Sequence, residues 1–259
     1  MDLSDRQSEI LATLRQAGRV EVDGLAQQFD VTTQTIRRDL GQLCDLGLAA
    51  RTHGGARSLQ SVSNLDYRAR QQTNAGAKQA IAAKAARLIP NDCCVALNIG
   101  TTTEHVARAI AGHQGLIVLS NNINIITGLI GANMRELILV GGSVRPADGA
   151  ITGADAVDFI GRYKADVAVV GASALDADGA VLDFDAAEVA VARALLANAR
   201  SRILVVDRSK FDRSAPVRIC SLADFDHVVI DDAPPPAFTL AAAAANTQIH
   251  IAESAGALA

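Results

Sequence analysis

The chain has 259 residues, of which 49% are hydrophobic, 20% charged and only 3% aromatic, with no Trp. That balance excludes a disordered chain, suits one large domain or two modest ones, and demands a core of Ala, Val, Ile and Leu. The formal net charge of −4 excludes a uniformly basic nucleic-acid coat but leaves room for a local cationic patch.

Ile10, Leu11 and Leu14 sit at helical spacing, and Leu25, Ala26 and Phe29 make a second short apolar face after Asp23. Thr32 is placed to cap a third helix by accepting from a free backbone N–H, with Ile36, Leu40 and Leu43 at i, i+4 and i+7 on its core face. The run LAARTHGGA then alternates briefly into Gly54-Gly55, where positive φ is cheap and a hairpin can turn, as a wing would. Residues 1–57 are therefore expected to form one domain. Residues 58–75 are rich in Ser, Asn and Gln and read as a surface linker.

Residues 76–259 read in a different period. Helical stretches alternate with the apolar runs CCVALNI (93–99), LIVLS (116–120), ELILV (136–140), DVAVVGA (166–172), RILVVD (202–207) and HVVI (227–230). Near-continuous apolar strands separated by helices predict an α/β domain with a mainly parallel sheet covered on both faces. The run Pro234 to Pro236 is expected to end that sheet, and Thr239 to Ala245 to form a last Ala-rich helix.

The third helix carries the first chemistry. Thr33, Gln34, Thr35, Arg37 and Arg38 lie off its core face near the amino-terminal half. Arg can bond guanine in bidentate fashion, Gln adenine, and a Thr methyl can touch thymine, while the same side chains can equally hold phosphates. An Arg-Arg pair on an arbitrary helix is a solvated face. Here it follows a short helix and a tight turn, and a wing with Arg51, His53 and Arg57 comes next, which makes a winged helix-turn-helix. Asp39 would repel phosphate unless turned away or paired, and pairing with a neighbouring Arg is the expected role.

In the second domain, CCVALNI runs into Gly100, Thr101, Thr102 and Thr103 and then a helix, so free N–H groups and three hydroxyls gather where anions bind. A plain strand-to-helix turn is the alternative. Polar groups recur after other strands, at Asn121 and Asn122, at Gly141 and Gly142, and at Asp207 with Ser209 and Lys210. Open α/β sheets bind ligands at such ends, and this mixture of neutral donors, acceptors and one cation suits a phosphorylated sugar or polyol. For Lys210 a surface lysine is the alternative.

VTTQTIRRDL followed by RTHGGA resembles the bacterial DeoR-type regulators, whose pattern is V-S-x-x-T-I-R-R-D-L and R-x-H-G-G-A; Thr32 replaces the usual Ser and keeps the capping hydroxyl. IGTTTEHVA, SNNIN, GGSVR with ITG, and VDRSKF are similar to the family's sensor domain, so the resemblance covers nearly the full chain. It implies that residues from about Val20 to Asp39 form the helix-turn-helix, that the third helix reads operator DNA, and that the sensor is ribose-5-phosphate-isomerase-like. It also implies a repressor of a carbohydrate or polyol operon, released by a sugar phosphate. LDFDAAEV, VVDRSKFDR and DDAPPP look most like the branch that answers to sn-glycerol 3-phosphate, which makes that compound the implied inducer. Asn98 stands where the family usually has an acid, Ala187 and Ala192 where that branch has Tyr and Lys, and ASALDADG replaces S-G-I-D-x-D-G. If Ala192 removes a cationic contact, worth roughly 1.5 to 3 kcal/mol, affinity or ligand choice differs, and a regulator of this type that answers to a different sugar phosphate is the alternative.

A single winged module is small, so a homo-oligomer, dimer or tetramer, on two half-sites is expected. Two other classes stay open. In an isomerase-like enzyme Glu188, Asp207 and Lys210 would act as acid and base; in an adaptor the winged helix would bind protein. Cys44, Cys93, Cys94 and Cys220 show no CxxC spacing, the adjacent Cys93 and Cys94 read as small buried hydrophobes in an apolar run, and His105, His113, His227 and His250 lack metal-ligand spacing, so neither metal nor cofactor is expected. No run reaches the roughly 18 to 20 apolar residues of a membrane span, and MDLSDRQSEI lacks a cationic n-region, so a cytoplasmic protein is expected.

Overall fold

The computed structural model describes residues 3–17, 19–46, 48–52, 54–58 and 67–252. The chain divides into two units, residues 1–65 with 212–214, and residues 66–211 with 215–259.

The first unit runs α1 (Asp5–Ala17), β1 (Arg19–Glu21), α2 (Val22–Gln28), α3 (Thr33–Asp45), β2 (Ala49–Thr52) and β3 (Gly55–Ser58). Ile10, Leu14, Leu25, Ile36, Leu40 and Leu43 converge from the three helices onto Val20, Ala49 and Ala56 of the strands, one apolar cluster beneath all six elements. The helices and hairpin that periodicity predicts are present. β1 is an addition: it pairs antiparallel with β3, giving the order β1-β3-β2. At 3 residues it is too short for an alternating period to register. The turn glycines serve different ends. Gly54 adopts φ +118, whereas Gly55 is required by close approach, because a Cβ there would lie 1.9 Å from the Val20 carbonyl oxygen.

The second unit begins with α4 (Tyr67–Gln72) and α5 (Ala75–Ala86), so the stretch that reads as linker contains a helix. There follow β4 (Cys94–Leu97), α6 (Thr101–Ala109), β5 (Ile117–Ser120), α7 (Ile123–Leu129), β6 (Glu136–Leu139), α8 (Ala154–Ile160), β7 (Ala165–Val170), β8 (Ala174–Leu175) and β9 (Ala180–Asp183). The chain continues through α9 (Ala186–Ala197), β10 (Ala199–Val206), β11 (Val217–Ser221), β12 (His227–Ile230), α10 (Pro236–Ala244) and β13 (Gln248–Ile251). Seven strands form one sheet in the order β13-β12-β10-β7-β4-β5-β6, every pairing parallel.

Alternation within strands supplies both faces. Val95, Leu97, Val167, Val169, Ile203 and Val205 pack with residues of α5, α6 and α7. Ala96 and Ala168 pack with α8 and α9, and Val170, Leu204, Val206 and Phe238 pack around α9 and α10. All six apolar runs are strands of this sheet.

One expectation is overturned: the Pro234 to Pro236 run does not end the sheet. Pro236 opens α10, where a missing N–H costs nothing, and α10 is the crossover that returns the chain to lay β13 beside β12. A second, antiparallel sheet of order β11-β9-β8 also escaped the sequence, its strands being short and buried throughout at β8 and β9. Among the described residues no helix is long and apolar enough to cross a membrane.

Candidate functional site

In the first unit, α3 is sided by its own sequence. Thr32 is extended at the N-cap, and its hydroxyl accepts from the Thr35 N–H at 3.3 Å and meets the Thr35 hydroxyl at 2.9 Å. Ile36, Leu40 and Leu43 are buried, Gln34, Arg37 and Arg38 are exposed, and Thr33 and Thr35 are half-buried. Asp39 is 5% exposed and accepts from Arg6 Nε at 2.7 Å and Gln7 Nε2 at 3.2 Å. It is paired, as the sequence reading requires, but across to α1 rather than to an arginine of its own helix. The acid is thus withdrawn from the face that carries Arg37 and Arg38. Arg51 is exposed with its guanidinium over α3: a Cβ on Gly41 would lie 2.9 Å from Nη2. His53 and the Arg57 side chain lie outside the described residues.

In the second unit, the strand order reverses beside β4. The chain steps outward through β5 and β6, then crosses back to place β7 on the other side of β4. Their carboxyl ends frame the crevice where open α/β sheets take ligands. Asn98 Oδ1 accepts from Gly171 N–H at 3.1 Å and so ties the two strand ends together. Gly100, at φ +143, is the N-cap of α6. The fully buried Thr103 hydroxyl donates to the Asn98 and Gly100 carbonyls, both at 2.8 Å, so it holds the loop. Thr101 and Thr102 follow Gly100 in the first turn, 6% and 7% exposed.

The other sequence candidates take separate positions. Asn122, beyond β5, caps α7 by accepting from Asn124 N–H at 2.9 Å and donates to Glu104 Oε1 at 3.0 Å. Asn121 donates to the Ile151 carbonyl at 2.9 Å, and its Oδ1 is buried without a partner. Gly141 and Gly142 follow the edge strand β6, two strands from the crevice, and a Cβ on Gly142 would lie 2.8 Å from Ile151 Cγ2. Asp207, beyond β10, is 2% exposed. It accepts from Asn74 Nδ2 at 3.1 Å and from the Ser209 N–H at 3.2 Å and hydroxyl, with Lys210 Nζ 3.9 Å away. Burial pushes its pKa up, but Lys210, Ser209, Asn74 and Lys78 outweigh that and hold it below the usual carboxylate value.

A polar network that the sequence reading missed surrounds these ends. Glu104, 4% exposed on the first turn of α6, accepts at Oε1 from Tyr67 Oη at 2.7 Å and Asn124 Nδ2 at 3.2 Å as well as from Asn122. Burial and then Glu104 push the Tyr67 phenol well above its usual value, so it stays a donor. Lys78, 3% exposed, donates to the Arg70 and Thr73 carbonyls and closes the end of α4. Asp148 is held by Arg145, at 2.9 Å to Nε and 2.6 Å to Nη2. Arg145 also meets Asp185 at 3.2 Å and Glu188. Burial and then Asp183 raise Glu188 against the pull of Arg145. Arg70, with a side chain 16% exposed, approaches Asp148 only to 4.0 Å, and its buried Nε has no partner.

The available signal for Lys78 was a cation one turn before Ile81 on the buried face of α5. Ala192 is buried among Val170, Leu204 and Phe238, a packing position here, and the Ala187 N–H joins the α9 cap at Asp185. His113 caps the end of α5 through the Ala86 and Ile89 carbonyls, both at 3.1 Å, and His227 and His250 face each other at 3.2 Å. Burial raises the Cys93 thiol to about 11 and the Cys220 thiol to about 12.

Comparison with known proteins places both units. Residues 6–62 match the DeoR-like helix-turn-helix domain, and residues 73–232 match the DeoR C terminal sensor domain. The chain is 40% identical over 236 residues to the glycerol-3-phosphate regulon repressor of Escherichia coli (strain K12), covering 91% of this chain and 93% of that protein. It is 41% identical over 234 residues to the repressor of the same name from Haemophilus influenzae, covering 90% and 91%. Similarity extends to a solved ribose 5-phosphate isomerase from Methanocaldococcus jannaschii at 15% identity and a TM-score of 0.40, covering 54% of this chain and 55% of that one. With the sensor match alone running through more than half of the sequence, and the helix-turn-helix match through most of what precedes it, the chain belongs to the DeoR family.

Proposed function

We propose that this protein is a transcriptional repressor that grips operator DNA through α3 and the wing and lets go when a phosphorylated polyol, sn-glycerol 3-phosphate, occupies the second unit. The observation that carries the DNA half is the sidedness of α3: Gln34, Arg37 and Arg38 are exposed while the one acid of the helix middle, Asp39, is tied to Arg6 and Gln7. A helix that presents cations and hides its carboxylate suits a groove lined by phosphates. The effector half is supported by the resemblance to the glycerol-3-phosphate regulon repressors and by the donors gathered at the switch point between β4 and β7. Residues 1–57 serve as the DNA-binding domain, 58–75 as a connection whose helix α4 is bonded to the second unit, and 76–259 as the sensor, with Gly100, Thr101 and Thr102 as phosphate contacts and Lys210 as a nearby cation.

Two half-sites require at least a dimer, because one winged module buries too little surface for tight specific binding. Release requires the effector to favour the weaker-binding state by a coupling of about 1 to 3 kcal/mol. Fluorescence anisotropy of a duplex selected from a random library tests both halves. Nanomolar binding that weakens about 5- to 150-fold with sn-glycerol 3-phosphate and not with free glycerol is expected. Absence of any selected duplex would remove the DNA half, and indifference to phosphorylated polyols the effector half. The isomerase alternative is disfavoured by Glu188, whose carboxylate is taken by Arg145; ribose 5-phosphate turnover that vanishes in Lys210→Ala would restore it.

A further inference from the structure

α4 is the first described element after the DNA-binding unit in chain order; its start is fastened beside the candidate effector site and its far end to α5. Tyr67 at its start donates to Glu104, one residue past the Thr101–Thr103 turn, and receives Asn124 Nδ2 at 2.9 Å from the first turn after β5. Lys78 closes its far end. Between them stands Arg70, and its situation differs from that of Arg145. Arg145 is saturated by three carboxylates, those of Asp148, Asp185 and Glu188. Arg70 faces the same Asp148, but both Asp148 oxygens already receive Arg145, so the Arg70 guanidinium stops at 4.0 Å and its Nε, sealed from solvent, bonds to nothing. Five N–H donors in a planar fork are the natural complement of a phosphate. Positive charge converges there too: burial raises the Asp183 carboxyl, and Arg70 and Lys210 are the two cations that act against that rise, after the Phe184 N–H and the Ser173 hydroxyl.

We propose that Arg70 is a phosphate-binding residue of the effector site, and that its movement from Asp148 to the phosphate shifts α4 and so carries occupancy into the segment that leads to the DNA-binding unit. This deepens the function proposed above and rests on it. Arg70 supplies the charge-assisted contact, while Tyr67, held by Glu104, is a positioning residue that converts the contact into motion of α4. A ligand that bound only Thr101 and Thr102 would leave the Tyr67–Glu104 bond untouched and would have no differential contact with which to shift the equilibrium.

The experiment uses the full chain, sn-glycerol 3-phosphate as probe, calorimetry for its affinity and operator anisotropy for release. Arg70→Ala is expected to weaken effector binding about 10- to 150-fold, and Arg70→Lys by less, since charge remains and the fork is lost. Tyr67→Phe is expected to keep effector affinity within about threefold yet reduce release at saturating effector toward none, because coupling and binding are separable. Arg135→Ala, at the amino-terminal edge of the same sheet with an exposed pairing to Asp92 at 3.4 Å, serves as control. Wild-type protein that is not released by the probe overturns the function proposed above and this inference with it. Wild-type protein that is released while Arg70→Ala and Arg70→Lys bind the probe as tightly as it does overturns this inference alone. Tyr67→Phe that is released like wild type overturns the role given to α4.

Discussion

Glu104 is the junction on which the second unit's polar network closes, and its replacement has a magnitude that geometry sets. Its Oε1 accepts from Tyr67 Oη at 2.7 Å, Asn122 Nδ2 at 3.0 Å and Asn124 Nδ2 at 3.2 Å, with Arg108 3.9 Å from Oε2. Asn124 keeps the Asp148 carbonyl at 2.9 Å, so Glu104→Ala strands two donors, the Tyr67 hydroxyl and Asn122 Nδ2. Asn122 is 1% exposed, and a buried donor left unsatisfied costs about 1 to 3 kcal/mol; the half-buried Tyr67 hydroxyl loses a bond to a charged group, about 1.5 to 3 kcal/mol, so Glu104→Ala should lose about 2.5 to 6 kcal/mol. Glu104→Gln keeps a carbonyl oxygen for the same donors and forfeits only charge assistance, about 1 kcal/mol. For a unit of this size each kcal/mol moves Tm by about 2 to 4 °C. Thermal melts and urea midpoints at pH 7 should therefore place Glu104→Gln a few degrees below wild type and Glu104→Ala well below that, with unchanged m-values. Equal losses for the two variants, or an alanine variant that melts with wild type, would refute the claim that Oε1 is the acceptor on which these donors depend.

Arg37→Ala and Arg38→Ala should each flatten the slope of log K against log salt for operator binding by about 0.9 if each holds one phosphate; an unchanged slope in the double variant removes α3 from the backbone. Gly55→Ala would put a Cβ 1.9 Å from the Val20 carbonyl, an overpacking that costs about 1 to 3 kcal/mol, and should lower DNA affinity through the wing; a variant that melts and binds like wild type would show that β1 and β3 yield freely. Asp207 has a folded pKa below its ordinary 3.8. Its contribution is therefore complete above pH 3.8 and is lost as pH falls through the lower folded value. Asp207→Asn should then be less stable than wild type at pH 7 and lose less on acidification below pH 4, measured by urea midpoints across pH; parallel acid losses in the two proteins would contradict the sign.

Much of this was legible from the chain because the relevant forces act over a few residues. The apolar spacing of Ile36, Leu40 and Leu43 sided α3 and thereby exposed Arg37 and Arg38, and Thr32 capped the helix through a residue three positions away. Six apolar runs became six parallel strands because buried strands need no alternation to be recognised. Asp39 was expected to be paired for a similarly local reason, that an acid beside Arg37 and Arg38 on a helix proposed to face phosphates would repel them.

What the chain alone did not disclose depends on partners far along it. The arginine that takes Asp39 lies 33 residues away, the asparagine on Asp207 lies 133 away, and no periodicity relates them. The tertiary fold decided that Gly141 and Gly142 stand two strands from the crevice, that α10 returns the chain past its prolines to add β13, and that two arginines compete for one Asp148. Periodicity and capping are settled within a turn or a strand. Strand order, the choice of ion-pair partner and the stranding of Arg70 Nε are settled only when distant segments share one desolvated space, where every donor must find an acceptor or wait for one.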